Sequence, residues 1–412
     1  MSIGDTLFLF LPADRETPLA WVRAADWPQW RGPQRDGTAS DVESPSTWSP
    51  SLTKAWSIEV GVGHSTPIVV GNRVTVFTRQ GEQEVVRSVQ LATGELAWEK
   101  SYPAPYKINQ AAAAHGAGPK STPAAAAGHL ITFGIGGMLT AWELRSGKRL
   151  WQRTFADDYP RTSPLYGAAA SPLIDGDNCL IPVGGHDQGA VLAVSISSGE
   201  TQWKWDDDGP AYASPVLGRI AGERQLVVQT QKHCVGLDPD SGKLLWKLPF
   251  ETEYDQNSVT PVLYNQSVIF SGYNRGIARY RIEIQEDEWR ADELWTNKEV
   301  SLYMNTPVVS EDRLFGFSQR HKGELFALDL TTGKTLWTSE GRLGDNASLV
   351  LTGDTIWALT NRGELLVFAA KDSEFQQLAR YRVADSETWA HPLILPRGVI
   401  VKDLQHLTLW TL

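Results

Sequence analysis

Cysteine is nearly absent: Cys179 and Cys234 are the only two in 412 residues. That excludes a disulfide-stapled scaffold and any multi-cysteine metal site, and a Cys-x-x-Cys-His haem attachment is also missing. No apolar run approaches the roughly 18 residues of a membrane-spanning helix. Positive charge is in deficit, with 38 Lys and Arg against 48 Asp and Glu, a net charge of −10. A general nucleic-acid or anionic-membrane binder would favour a basic surface. No segment keeps a long 3.6-residue apolar period, so helix is not a major component. No His-x-His or His-x-x-x-His spacing occurs among the eight histidines, so no local zinc motif exists. What is abundant is glycine (36), proline (23) and tryptophan (17). Glycine and proline imply many turns and therefore many short strands.

The tryptophans repeat. The clearest copy of the unit is Ala327-Leu-Asp329-Leu-Thr-Thr-Gly333-Lys-Thr-Leu-Trp337, with weaker copies ending at Trp98, Trp151, Trp203 and Trp246. Trp295 keeps the ring without the glycine, Trp56 opens the series and Ala379 is a decayed copy. The anchors are spaced 42 to 53 residues apart. A second series interleaves: Thr66-Pro67, Thr122-Pro123, Ser171-Pro172, Ser214-Pro215, Thr260-Pro261 and Thr306-Pro307, with Ala347-Ser348 and His391-Pro392 degenerate. Each unit holds four short strands. Eight such units predict an all-β, eight-bladed β-propeller of four-stranded antiparallel blades, because a lone blade leaves its faces uncovered while radial neighbours cover them. Trp98, Trp151, Trp203, Trp246 and Trp337 are then expected to pack blade on blade. The segment after His391 supplies only three strands and Thr53–Val60 supplies one, so the two termini are expected to pair and close the ring. The domain reading is 1–25 as an N-terminal tail or degenerate signal segment, 26–51 as a lead-in strap and 52–412 as the propeller.

These repeats, with the entry Trp27-Pro28-Gln29-Trp30-Arg31-Gly32-Pro33, resemble the PQQ-like β-propeller repeat family, which includes quinoprotein alcohol dehydrogenases and BamB-like propellers. The resemblance covers residues 26–412. It implies the propeller fold and an exported, periplasmic location. It also brings the family enzymes' pattern into view: an adjacent cysteine pair beside the quinone PQQ, and calcium held by carboxylates and Asn. The adjacent pair is missing here and no positions match the calcium ligands, so no cofactor is expected, with PQQ and calcium as the alternative.

No compact catalytic motif emerges. Asp206-Asp207-Asp208, before Gly209-Pro210, fits a solvated turn better than a calcium loop, which needs spaced ligands. One distributed pattern stands out. In a propeller, the loops entering the innermost strands share a face with the turns between strands two and three. Arg79, Arg275, Arg320 and Arg362 fall 12 to 14 residues after Pro67, Pro261, Pro307 and Ser348. With Lys120 and His186 they form a candidate cationic rim for a protein or an anionic polymer; polar turns also favour such residues. The expected function is a non-enzymatic binding scaffold. The alternatives are a PQQ-dependent dehydrogenase and a glycan-binding propeller, the latter suggested by Tyr166, Tyr212, Tyr303 and Trp389 in the entering loops.

Overall fold

The computed structural model describes residues 26–412 apart from Ser46, Asp372 and Arg397; the proposed tail or signal segment, 1–25, lies outside the described residues. Eight four-stranded antiparallel sheets form the eight blades of a closed propeller. Blade 1 comprises Ile68–Val70, Arg73–Gln80, Gln83–Gln90 and Leu96–Pro103. Blades 2 to 7 span 124–153, 173–205, 216–249, 262–297, 308–338 and 347–382. Blade 8 takes Leu393–Leu395, Gly398–Lys402 and His406–Thr411 from the C-terminal end and its outer strand, Thr53–Glu59, from the other end of the ring. Thr53 faces Thr411 and Glu59 faces His406 in an antiparallel register. The ring is thus closed by hydrogen bonds between the two ends, and no sheet edge is left open there.

The glycine–tryptophan repeat works between blades. A Cβ on Gly94, Gly147, Gly199, Gly242 or Gly333 would lie 2.4–2.9 Å from the ring of Trp56, Trp98, Trp151, Trp203 or Trp295 respectively, each from the preceding blade. All five glycines have φ between +68° and +78°. Glycine is therefore required twice over, for the left-handed turn and for the ring lying on it. Four of these indoles, Trp56, Trp151, Trp203 and Trp295, also donate to a carbonyl of the next blade, each at 2.9 Å. Trp246 and Trp337 meet no such glycine. Trp246 packs on Phe270 of blade 5, and Trp337 on Phe368 and Phe375 of blade 7. Cys179 and Cys234 are buried free thiols in blades 3 and 4.

The Ser/Thr-Pro series has its own geometric cause. The Thr66 amide donates to Thr122 Oγ1 (3.2 Å), Thr122 to Ser171 Oγ (2.9 Å), Ser171 to Ser214 Oγ (2.9 Å), Ser214 to Thr260 Oγ1 (3.3 Å) and Thr260 to Thr306 Oγ1 (3.2 Å). The His391 amide donates to Thr66 Oγ1 at 3.0 Å. A circlet of hydroxyls thus stitches the innermost strands together around the channel. It is broken where the repeat has Ala347 and His391, which bring no hydroxyl.

Residues 26–42 cross the channel from the opposite face. Trp27 pairs with Val69 of blade 1, and Ala125 of blade 2 donates to the Pro28 carbonyl. Arg35 donates to the Ser171 and Pro172 carbonyls of blade 3, and Arg31 to the Thr306 and Pro307 carbonyls of blade 6. Gly37 and Ala39 pair with Leu351 of blade 7. The segment is a plug: two buried guanidiniums satisfy the inward carbonyls of strands that have no further sheet neighbour. Burial pulls Arg31 down to about 10 and Arg35 to about 9. Arg31→Met should cost about 3 kcal/mol, because several buried carbonyls lose a charged donor. Denaturant unfolding checks the cost, and limited proteolysis within 26–42 should speed up; an unchanged cleavage rate would show that the plug is held without Arg31.

Candidate functional site

Above the plug, on the face carrying the entering loops, the channel opens into a cavity of about 230 Å3. Its floor is the Trp30 ring together with part of the hydroxyl circlet, Ser171, Ser214, Thr260 and Thr306. The Trp30 indole donates to Thr260 Oγ1 at 3.3 Å and sits edge-on to His391, with centroids 4.4 Å apart.

Each wall residue occupies the loop just before an innermost strand. His64 is placed by Gly63 and Gly118, whose backbones approach so closely that a Cβ on Gly118 would lie 2.5 Å from the Gly63 Cα. The His64 and Ser65 amides both donate to the Pro119 carbonyl, which sets His64 beside Lys120. His64 Nε2–H donates to the His115 carbonyl at 2.9 Å, and the His115 ring meets Trp389 at 4.7 Å. The short helix Gln110–His115, capped by Asn109, carries His115 into the mouth. Tyr166 stacks on Tyr212 at 5.7 Å, and Tyr273, outside the lining on the turn between the second and third strands of blade 5, tilts against Tyr303 at 4.9 Å.

Electrostatically, the site is set by desolvation. Burial, reinforced by Lys120, Lys402 and His115, pulls His64 down to about 3 and keeps it neutral. Burial also lowers Lys120 to about 8, and its ammonium donates to the Tyr166 carbonyl at 2.7 Å. Tyr303 is pushed up to about 12, chiefly by burial. Among the described residues no carboxylate lines the cavity, and Glu387 lies just outside it, accepting from the Trp389 indole N–H at 2.9 Å. His391 is also held well below its ordinary value by burial and by Arg31.

These histidines make stability depend on acid. An unfolded histidine takes up a proton near pH 6.5, whereas His64 and His391 stay neutral in the fold until much lower pH. The unfolded state therefore binds more protons below pH 6.5, and stability present above that pH is lost as the pH falls toward about 3. The melting temperature should drop between pH 7.5 and pH 5, and less so in a His64→Gln variant. Parallel melting curves for the two proteins would remove His64 from this account.

The six candidate rim residues differ in their surroundings. Arg79 is buried and donates to the Gly81 and Ala104 carbonyls, bracing its own turn. Lys120 belongs to the cavity. His186 lies between Asp187 (3.2 Å) and Asp255 (3.3 Å). Arg275, Arg320 and Arg362 are exposed on the corresponding turns of blades 5, 6 and 7. Of these, Arg275 lies over the Phe250 ring and Arg362 donates to the Arg342 carbonyl. The acidic triplet is not uniformly solvated either. Asp206 and Asp207 pair with Lys204 and Lys247, but the Asp208 carboxylate is shielded from solvent and accepts from Thr230 Oγ1, the Lys232 amide and His233 Nδ1. It caps the turn of blade 4. Trp30, His115 and Gln256 escaped the sequence analysis. Trp30 stood in the entry motif, but nothing in its spacing shows that it reaches the channel floor.

Calcium takes six to eight oxygen ligands, usually including carboxylates. Among the described residues the lining offers no carboxylate, and no group of three His, Cys, Asp or Glu could hold a metal. The two thiols sit in separate blade cores. This donor set does not fit the calcium–quinone arrangement.

A closed eight-bladed ring with Trp-anchored repeats defines the class. A family model described as outer membrane protein assembly factor BamB matches residues 51–156 and 82–339, more than half of the chain. The chain belongs to this PQQ-like propeller family. It is 22% identical over 254 positions to the outer membrane protein assembly factor BamB of Yersinia pestis, a match covering 57% of this chain and 62% of that protein. The chain thus matches less than two thirds of that relative's length. Among solved structures, BamB from Moraxella catarrhalis superimposes with a TM-score of 0.60 at 16% identity, covering 88% of this chain and 98% of that one. Quinohemoprotein alcohol dehydrogenase from Comamonas testosteroni gives 0.70 at 12% identity, covering 97% and 82%. At these identities the structures share the fold alone. Among the described residues no helix is long and apolar enough to cross a membrane.

Proposed function

We propose that this protein is a non-enzymatic scaffold that receives a protein partner on its loop face and contributes to outer membrane protein assembly from the periplasm. The observation that carries the reading is the state of the channel. Catalysis needs convergent acid, base and cofactor groups. Here the channel is plugged by residues 26–42, and its mouth presents one ammonium, neutral imidazoles, hydroxyls and aromatic rings. Family membership supports the assembly role, since the matched model and the curated relative both carry that description. The exposed arc of Arg275, Arg320 and Arg362 is proposed as part of the docking face, suited to an acidic segment of the partner. Attraction at such exposed charges weakens with salt.

The test is genetic and biochemical. Cells lacking the protein should hold less folded outer-membrane β-barrel protein. The wild-type chain should restore it, and an Arg275→Glu, Arg320→Glu, Arg362→Glu variant of unchanged melting temperature should not. Undiminished β-barrel levels without the protein would overturn the assembly role. Full rescue by the triple variant would remove the arginine arc from the docking face.

A further inference from the structure

We infer that the channel mouth is a binding site for a small acidic sugar, a pyranose bearing a carboxylate. This goes beyond the scaffold reading and does not depend on it. At about 230 Å3 the cavity falls below the roughly 300–1,000 Å3 of sites for drug-sized ligands, which suits a single small ring. The donors at its base are prearranged. Ser171, Ser214 and Thr306 each accept a neighbouring backbone N–H through the hydroxyl oxygen. A hydroxyl also carries one proton to donate, and among the described residues none of these three has a protein acceptor for it. Lys120 spends one N–H on the Tyr166 carbonyl and keeps two of its three donors. The mouth therefore combines hydroxyl donors at its floor with one ammonium on its wall, and among the described residues its lining holds no carboxylate. Glu387 lies just outside the lining, where it accepts from the Trp389 indole N–H at 2.9 Å. The arrangement calls for an acceptor-rich ligand with its negative charge placed at Lys120.

Two further features favour a sugar acid over a simple anion. The lining includes the aromatic rings of Trp389 and Tyr212, and the electron-rich faces of aromatic rings receive the C–H edges of a pyranose. Gln256, also in the lining, lies within hydrogen-bonding reach of Tyr303, and the pair adds polar groups suited to the hydroxyls of a sugar. Lys120 is desolvated, and an anion placed beside it relieves that cost. The same desolvation keeps His64 neutral, so the charge recognised at the ligand is carried by Lys120.

The probes are D-glucuronate, D-glucose and benzoate, titrated into the full-length protein by calorimetry and followed in parallel by tryptophan fluorescence, since Trp30 and Trp389 line the site. Glucuronate should bind saturably at one per chain, with glucose and benzoate at least tenfold weaker. Lys120→Met should weaken glucuronate at least tenfold with little effect on glucose. Trp389→Ala, in the partly exposed rim, should weaken glucuronate and glucose alike. Absence of saturable glucuronate binding would overturn the inference, as would equal affinity for glucose or tighter binding of benzoate. If Lys120→Met does not fold, the Trp389→Ala result and the glucuronate-to-glucose ratio of the wild type decide. These readouts are independent of β-barrel levels in cells, so a failure here leaves the scaffold reading standing, and the reverse also holds.

Discussion

A chain truncated after residue 400 should fail to fold as a monomer. The missing residues include the whole strand His406–Thr411, to which Thr53–Glu59 is paired along its length. Leu407 and Leu409, both fully buried, would leave the core shared by blades 7, 8 and 1. Lys402 would go too, with the bonds its ammonium makes to the Gly61, Gly63 and Asp403 carbonyls. Two open sheet edges and an uncovered apolar face would remain, and such edges recruit other chains. Size-exclusion chromatography should show aggregate, and circular dichroism should show no cooperative melting transition. A monomer with the wild-type melting temperature would show that the ring does not depend on this closure.

Trp337→Ala should be the most damaging single substitution among the repeat tryptophans, at roughly 3–5 kcal/mol. Among the described residues its indole N–H has no hydrogen-bond partner, so the loss is one of packing. The ring fills the space between blades 6 and 7 against Phe315, Phe368 and Phe375. No turn glycine lies against it, and three aromatic rings cannot collapse into the void without leaving their rotamers. The shift in denaturant midpoint measures the effect. A loss below about 1 kcal/mol would mean that the site relaxes, contrary to the usual cost of emptying a large core position.

Much of the ring was legible because it is written eight times. A residue repeated at one position in every unit has a cause in every unit, and Trp and Ser/Thr-Pro were visible for that reason. The glycine beside each tryptophan was also visible, but its partner was not. Gly147 stands four residues before Trp151, yet the ring lying on it belongs to Trp98. Periodicity reports that a contact recurs and is silent on whether it joins one repeat or two. The same holds for the hydroxyls: the series showed Thr66 and Thr122 as equivalents, and only the curvature of the ring brings the amide of one to the oxygen of the other.

The rim and the mouth separate along the same line. Equal offsets from the Ser/Thr-Pro pairs put Arg79, Arg275, Arg320 and Arg362 on equivalent turns, because topology follows from spacing. Whether each guanidinium faces water depends on what the adjoining loop supplies. Arg79 meets the Ala104 carbonyl and turns inward, while Arg320 remains exposed. The sequence alone determined the blade count, the strand order, the pairing of the two ends and the face on which the entering loops gather, since each follows from local patterns repeated along the chain. Tertiary structure alone decided that residues 26–42 plug the channel, that Trp30 forms the cavity floor and that His64, His115 and Lys120 share one desolvated wall. Those contacts join residues that occur once, through side chains whose directions are set by the closed ring, and no periodic signal carries such information.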